Sequence, residues 1–95
     1  MTAAPPVHLT GTLTCATLAD AALIARYLPD HVALSRAEPG CLHFAVTPTA
    51  KPLVWQVDES FANRAAFDAH QTRTRASAWF AATGPIGRDF RVSQA

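Results

Sequence analysis

Residues 7–15 alternate between two faces, with Val7, Leu9, Gly11, Leu13 and Cys15 on one and His8, Thr10, Thr12 and Thr14 on the other. A period of two with many β-branched side chains predicts a strand. Gly11 at its centre predicts close approach by another backbone or by a large side chain. The period then lengthens. Ala21, Ile24, Leu28, Val32 and Ser35 share one helical face, which predicts a helix over 17–37. Thr17 is its expected N-cap, with Asp20 as a partial capping box. Pro29 lies inside that run. It has no donor and its ring crowds the Ala25 carbonyl, so a kink or a break is expected near Leu28. Glu38-Pro39-Gly40 follows, with proline second and glycine third, the order of a type II turn.

Alternation returns at 41–47, with Leu42, Phe44 and Val46 set against Cys41, His43 and Ala45. After a hairpin connection over 48–52 it resumes at 53–59, with Leu53, Trp55 and Val57 against Val54, Gln56 and Asp58. Residues 63–71 and 76–82 predict two short helices separated by the polar stretch 72–75. Gly84-Pro85-Ile86-Gly87 is a breaker, and 88–93 predicts a last strand, Phe90 and Val92 alternating with Asp89 and Arg91.

The order is therefore β-α-β-β-α-β, with the second helical region split. Two right-handed β-α-β units joined by a hairpin give an α+β, ferredoxin-like domain: a four-stranded antiparallel sheet with its helices on one face. No element remains to cover the other face. Runs such as Leu53-Val54-Trp55 and Ala45-Val46 put apolar residues on both faces, so a second copy packed sheet to sheet is expected. Residues 1–6, stiffened by Pro5-Pro6, are expected to be a flexible tail, and 7–95 a single domain.

Composition sharpens the dimer expectation. A chain of 95 residues buries only roughly 60–65% of its unfolded surface, yet 49% of its residues are hydrophobic and only 16% are charged. Eight basic and seven acidic residues are spread along the chain, giving a net charge of +1. No basic block points to nucleic acid. No stretch has the character of a signal peptide or a membrane span, so a cytoplasmic protein is expected. Cys15 and Cys41 would then be free thiols. The predicted order supports this, because it sets them at opposite ends of the sheet, beyond the roughly 7 Å Cα limit of a bridge. The four histidines lack a paired spacing, so no metal site is expected.

Three motifs carry a resemblance to a known family. The run Ser35-Arg36-Ala37-Glu38-Pro39-Gly40-Cys41-Leu42, the pair of Glu59-Ser60-Phe61 and Ala66-Phe67-Asp68-Ala69-His70, and the ending Asp89-Phe90-Arg91-Val92 resemble the antibiotic biosynthesis monooxygenases, the quinol-monooxygenase-like family. The resemblance implies a dimeric α+β barrel and, in the oxygenase members, oxidation of a small electron-rich aromatic (a quinol or anthrone) by dioxygen without a cofactor. His70 is the expected base, since an unperturbed imidazole titrates near neutrality. Phe61, Phe67, Trp79, Phe80 and His43 are the candidate walls of an aromatic pocket, although such side chains are more often plain core. His8 and His31 are expected at the surface or paired. Glu59 is expected to be a structural partner, for instance to an arginine of the second subunit. Arg73 and Arg75 are expected to be solvated. Two other readings stay open: a small-ligand-binding or structural dimer without chemistry, and a related isomerase or decarboxylase.

Overall fold

A computed structural model describes residues 4–94. The first three residues of the expected tail, and Ala95, lie outside the described residues. The elements run β1 (Val7–Thr14), α1 (Leu18–Arg36), β2 (Cys41–Pro48), β3 (Val54–Phe61), α2 (Arg64–Arg75), α3 (Ala78–Thr83) and β4 (Gly87–Gln94). All three strand pairings are antiparallel, in the order β2-β3-β1-β4. This is the expected α+β ferredoxin-like sheet, with the second helical region divided. The polar stretch 72–75 is not a linker; it forms the last turn of α2.

Register fixes the two faces. Level with one another on the helix side are Val7, Leu9, Gly11 and Leu13 of β1 and Phe61, Glu59, Val57 and Trp55 of β3. β2 adds Phe44 and Val46 to that face. Its register departs from strict alternation. Cys41 pairs with Phe61 but His43 pairs with Ser60, so Leu42 is an extra residue bulged out of the strand. Leu42 is consequently 63% exposed, while Cys41, expected on the opposite face, joins the side of Phe44. The outer face is also more polar than expected. It carries His8, Thr10, Thr12 and Thr14, then Gln56, Asp58 and Ser60, then Asp89, Arg91 and Ser93, with Ala45 and Val54 as its apolar members.

Gly11 is where the strands meet most tightly: a Cβ there would stand 2.0 Å from the Asp89 carbonyl oxygen. Helix α1 opens as expected, the Thr17 side chain accepting from Asp20 N at 3.2 Å. Asp20 reaches back one residue further than a standard capping box, to Ala16 N at 3.1 Å. The helix runs through Pro29 without the expected break. Pro29 and Ala25 both lie on the exposed side, where the carbonyl that proline leaves unpaired is open to solvent rather than to the core. Cys15 and Cys41 are free; β3 separates their two strands, and the thiols stand at opposite ends.

Candidate active site

The turn after α1 is a positioning device. Cys41 N donates to Glu38 O at 3.1 Å and Gly40 adopts φ 84°, which completes the expected type II turn. Ala62 N donates to Gly40 O at 2.7 Å, and a Cβ on Gly40 would stand only 2.7 Å from Ala66 Cβ. The turn therefore seats against the first turn of α2, whose N-cap Asn63 accepts from Ala66 N at 2.9 Å. One helical turn beyond Ala66 comes His70, and Glu38 lies opposite it.

Glu38 Oε1 is 2.6 Å from His70 Nδ1. Its other oxygen accepts from Arg73 Nε at 3.0 Å, and Arg73 Nη2 also donates to Ser35 Oγ at 3.0 Å. Burial raises the Glu38 carboxyl, but the hydrogen bonds from Arg73 and His70 outweigh it and leave it below the ordinary range. An ionised carboxylate only accepts, so the Nδ1 of His70 carries the hydrogen. Burial holds His70 below its usual range, although Glu38 opposes that shift, so the ring is neutral at pH 7 and Nε2 is bare. Thr74 Oγ1 lies 3.3 Å from that nitrogen, placed to donate to it.

On the other side of the ring stands Glu59, 8% exposed, which comes from the helix-facing side of β3. Its Oε1 is 3.4 Å from His70 Nε2, close but not aligned for a hydrogen bond, and that oxygen has no other partner. Burial, and then the negative charge of Glu38, push this carboxyl up to about 8, so it is protonated at neutral pH. His31, on α1, is stacked on Trp79 with centroids 4.8 Å apart and planes 3° from parallel. Burial takes it down to about 3, and its Nδ1 is likewise without a partner.

These groups border an interior cavity between sheet and helices, in which the centre of a water-sized sphere has about 130 Å³ to move. Trp79, Phe80, Phe90 and aliphatic residues of the sheet line it together with His31, Glu59, His70, Gln71, Thr74, Arg75 and Arg88. Phe80 is steadied by Arg88, itself on the cavity wall, whose guanidinium is 5.6 Å from the Phe80 ring centre and donates to the Thr83 carbonyl at 2.8 Å.

Of the sequence-predicted site residues, His70, Trp79 and Phe80 come together on this wall. Phe61 and Phe67 are buried behind it, the Phe61 ring 4.8 Å from that of His70. His43 does not reach the cavity. Alternation with Phe44 leaves it on the outer face, exposed and level with Ser60. His8 is also exposed there, its Nδ1 2.8 Å from Ser60 Oγ. Three further expectations are corrected. His31 is 4% exposed and belongs to the site, because it shares the face of Ile24 and Ser35 on α1. Glu59 faces the cavity within its own subunit. Arg73 is ion-paired to Glu38. Both glutamates were legible in principle: Glu59 keeps the alternation of Trp55 and Val57, and Glu38 opens the turn that the sequence identifies. Among the described residues no group of three or more His, Cys, Asp or Glu is placed to hold a metal ion.

Fold and site together define a ferredoxin-like α+β domain with a carboxylate-held histidine facing a cavity between sheet and helices. The sequence profile of the antibiotic biosynthesis monooxygenase family matches residues 6–82, and the chain belongs to that family. An antibiotic biosynthesis monooxygenase candidate from Caulobacter crescentus is 26% identical, with 97% of this chain and 91% of that one covered and a TM-score of 0.81. A Pseudomonas aeruginosa protein, 24% identical over 100% of this chain and 96% of its own, superposes with a TM-score of 0.71. SnoaB, a cofactor-independent oxygenase from Streptomyces nogalater, shares the fold at 14% identity, with 97% and 94% covered and a TM-score of 0.74. No curated protein is similar enough to the chain to match it.

Proposed function

We propose that this protein is a cytoplasmic, homodimeric monooxygenase that oxidises a small electron-rich aromatic, of quinol or anthrone type, with dioxygen and without a bound cofactor. The observation that carries this reading is the pair of Glu38 and His70, with a bare Nε2 on the wall of an apolar cavity. Family membership and the cofactor-independent oxygenase activity of SnoaB support the reaction class.

The chemistry follows from the base. His70 Nε2 takes a proton from an acidic carbon of an anthrone-like substrate, and Glu38 stabilises the imidazolium that results. The carbanion gives its electrons to dioxygen, a carbon–oxygen bond forms, and the peroxide takes the proton back from His70. Loss of the second proton from the same carbon, again to His70, breaks the O–O bond and expels hydroxide. One oxygen atom ends in a carbonyl; the other leaves as water with the two protons. Trp79 and Phe80 flank the ring and keep bulk water from the carbanion.

Oxygen uptake with a panel of anthrones and quinols tests the proposal. Turnover above the spontaneous rate is expected for at least one of them, reduced by about 10²-fold or more in His70→Ala. Equal rates for wild type and variant, or no turnover with any compound, would remove the catalytic assignment and leave a ligand-binding domain.

A further inference from the structure

Two carboxylates flank the His70 ring, and the reaction outlined above uses only one. Glu38 is committed to Arg73 and to His70 Nδ1. Glu59 is committed to nothing. It lies within the sheet, 8% exposed, on the cavity wall, with an Oε1 that meets no hydrogen-bonding partner. A buried, unpartnered polar atom is costly, and one aimed into a cavity is relieved by what fills the cavity.

We propose that Glu59 is the cavity's hydrogen-bond donor, and that it takes a ligand oxygen conjugated with the carbon that His70 deprotonates. The inference rests on the reading of this cavity as the place where His70 meets its ligand. A carbonyl oxygen gains negative charge as the neighbouring C–H bond breaks. The proton goes to His70 Nε2, the electron pair moves onto the oxygen, and a neutral carboxylic acid donates to it without giving up its proton. Two like groups held in opposite states by their surroundings mark the division between an orienting anion and a donating acid. The preferred ligand is then an enolisable carbonyl compound or its enolate-like phenol, rather than a plain hydrocarbon of the same shape.

The charged and titratable groups around Glu59 are His31 on α1, Glu38 in the turn, Cys41 on β2, His70, Arg73 and Arg75 on α2, and Arg88 on β4. Leu9 and Phe44, its partners across β1 and β2, are uncharged. Burial and Glu38 keep the carboxyl protonated at neutral pH, and it ionises near pH 8. The donor is therefore lost as the pH rises past that point.

Binding of 1-tetralone, whose carbonyl only accepts, and of its hydrocarbon counterpart tetralin, measured by tryptophan fluorescence titration on the full chain, tests this without any turnover. Wild type is expected to prefer 1-tetralone at least tenfold at pH 6.5 and to lose most of that preference by pH 9. Glu59→Gln keeps a donor that cannot ionise, so it should retain the preference at both pH values. Glu59→Ala should reduce it to under threefold while still binding tetralin, which shows that the cavity is intact. If wild type binds neither compound or has no preference, the inference is overturned. It is also overturned if the preference survives in Glu59→Ala or its pH dependence survives in Glu59→Gln. A Glu59-dependent preference in a protein that consumes no oxygen would overturn the oxygenase reading alone.

Discussion

Glu38 and Glu59 stand on either side of one imidazole, and stability should report their different charge states. Glu59 has a folded value near 8 against an ordinary 4.5, so folding holds its proton. The stabilisation is complete below about 4.5 and is lost as the pH rises through about 8. Glu59→Gln removes that dependence. Urea melts should show the Gln variant gaining on wild type between pH 5 and 8, by roughly 2–4 kcal/mol at the upper end. A difference that does not move with pH would contradict the buried, protonated carboxyl. His31 acts in the opposite direction. Its folded value near 3 lies below the ordinary 6.5, so its contribution is lost as the pH falls from 6.5 toward 3. Glu38→Ala strands Arg73 and the His70 donor together, and should cost about 2–3 kcal/mol near pH 7 by thermal or urea unfolding. A cost under about 0.5 kcal/mol would mean that the pair does not hold the turn to α2.

At the scale of elements, strands and helices were legible because period two and period 3.6 are written plainly into the chain. What was not legible had local causes. The Leu42 bulge depends on how Cys41 and His43 pair across to β3, which no local pattern of β2 encodes. The unbroken α1 depends on Pro29 lying on the wet side of the helix, which its spacing from Ile24 and Ser35 implies but its chemistry argues against. At an exposed position within the helix, Pro29→Ala should raise stability by about 1–2 kcal/mol in urea melts; a loss would show that the proline restricts the unfolded chain more than it weakens the helix. Gly11 was legible as a point of close approach, and the partner proves to be rigid backbone of β4. Gly11→Ala should cost about 3 kcal/mol or more. Gly87→Ala, where a Cβ would meet the Thr14 carbonyl oxygen at 3.3 Å, should cost no more than about 1 kcal/mol by the same melts.

At the scale of the whole molecule, the helices cover one face of the sheet and leave the other open. The Cα radius of gyration is 13.6 Å, against about 12.4 Å for a compact chain of this length. That extension, and Leu42 and Val92 exposed at 63% and 47% on the two edge strands, support the proposed homodimer. Sedimentation equilibrium should give twice the chain mass of 10.1 kDa, and a monomer at micromolar concentration would remove that part of the proposal. Runs such as Leu53-Val54-Trp55 imply an apolar outer face for the dimer. The face proves to be mostly threonine, serine, histidine and charged residues, so a partner would meet it largely through hydrogen bonds. The candidate site was half legible for a related reason. His70 and Trp79 belong to recognisable helical patterns, whereas their joining with Glu38, Glu59 and His31 exists only once turn, sheet and helices are packed together. That packing has one consequence on which the functional account stands: at pH 7 the His70 ring is neutral, with its hydrogen on Nδ1 toward Glu38 and none on Nε2, which is left as an acceptor. Long-range proton–nitrogen NMR of the imidazole reads this directly. The account predicts the Nδ1–H tautomer at pH 7, with the ring's titration moved below the ordinary imidazole range. An Nε2–H tautomer, or a ring still protonated at pH 7, would contradict it.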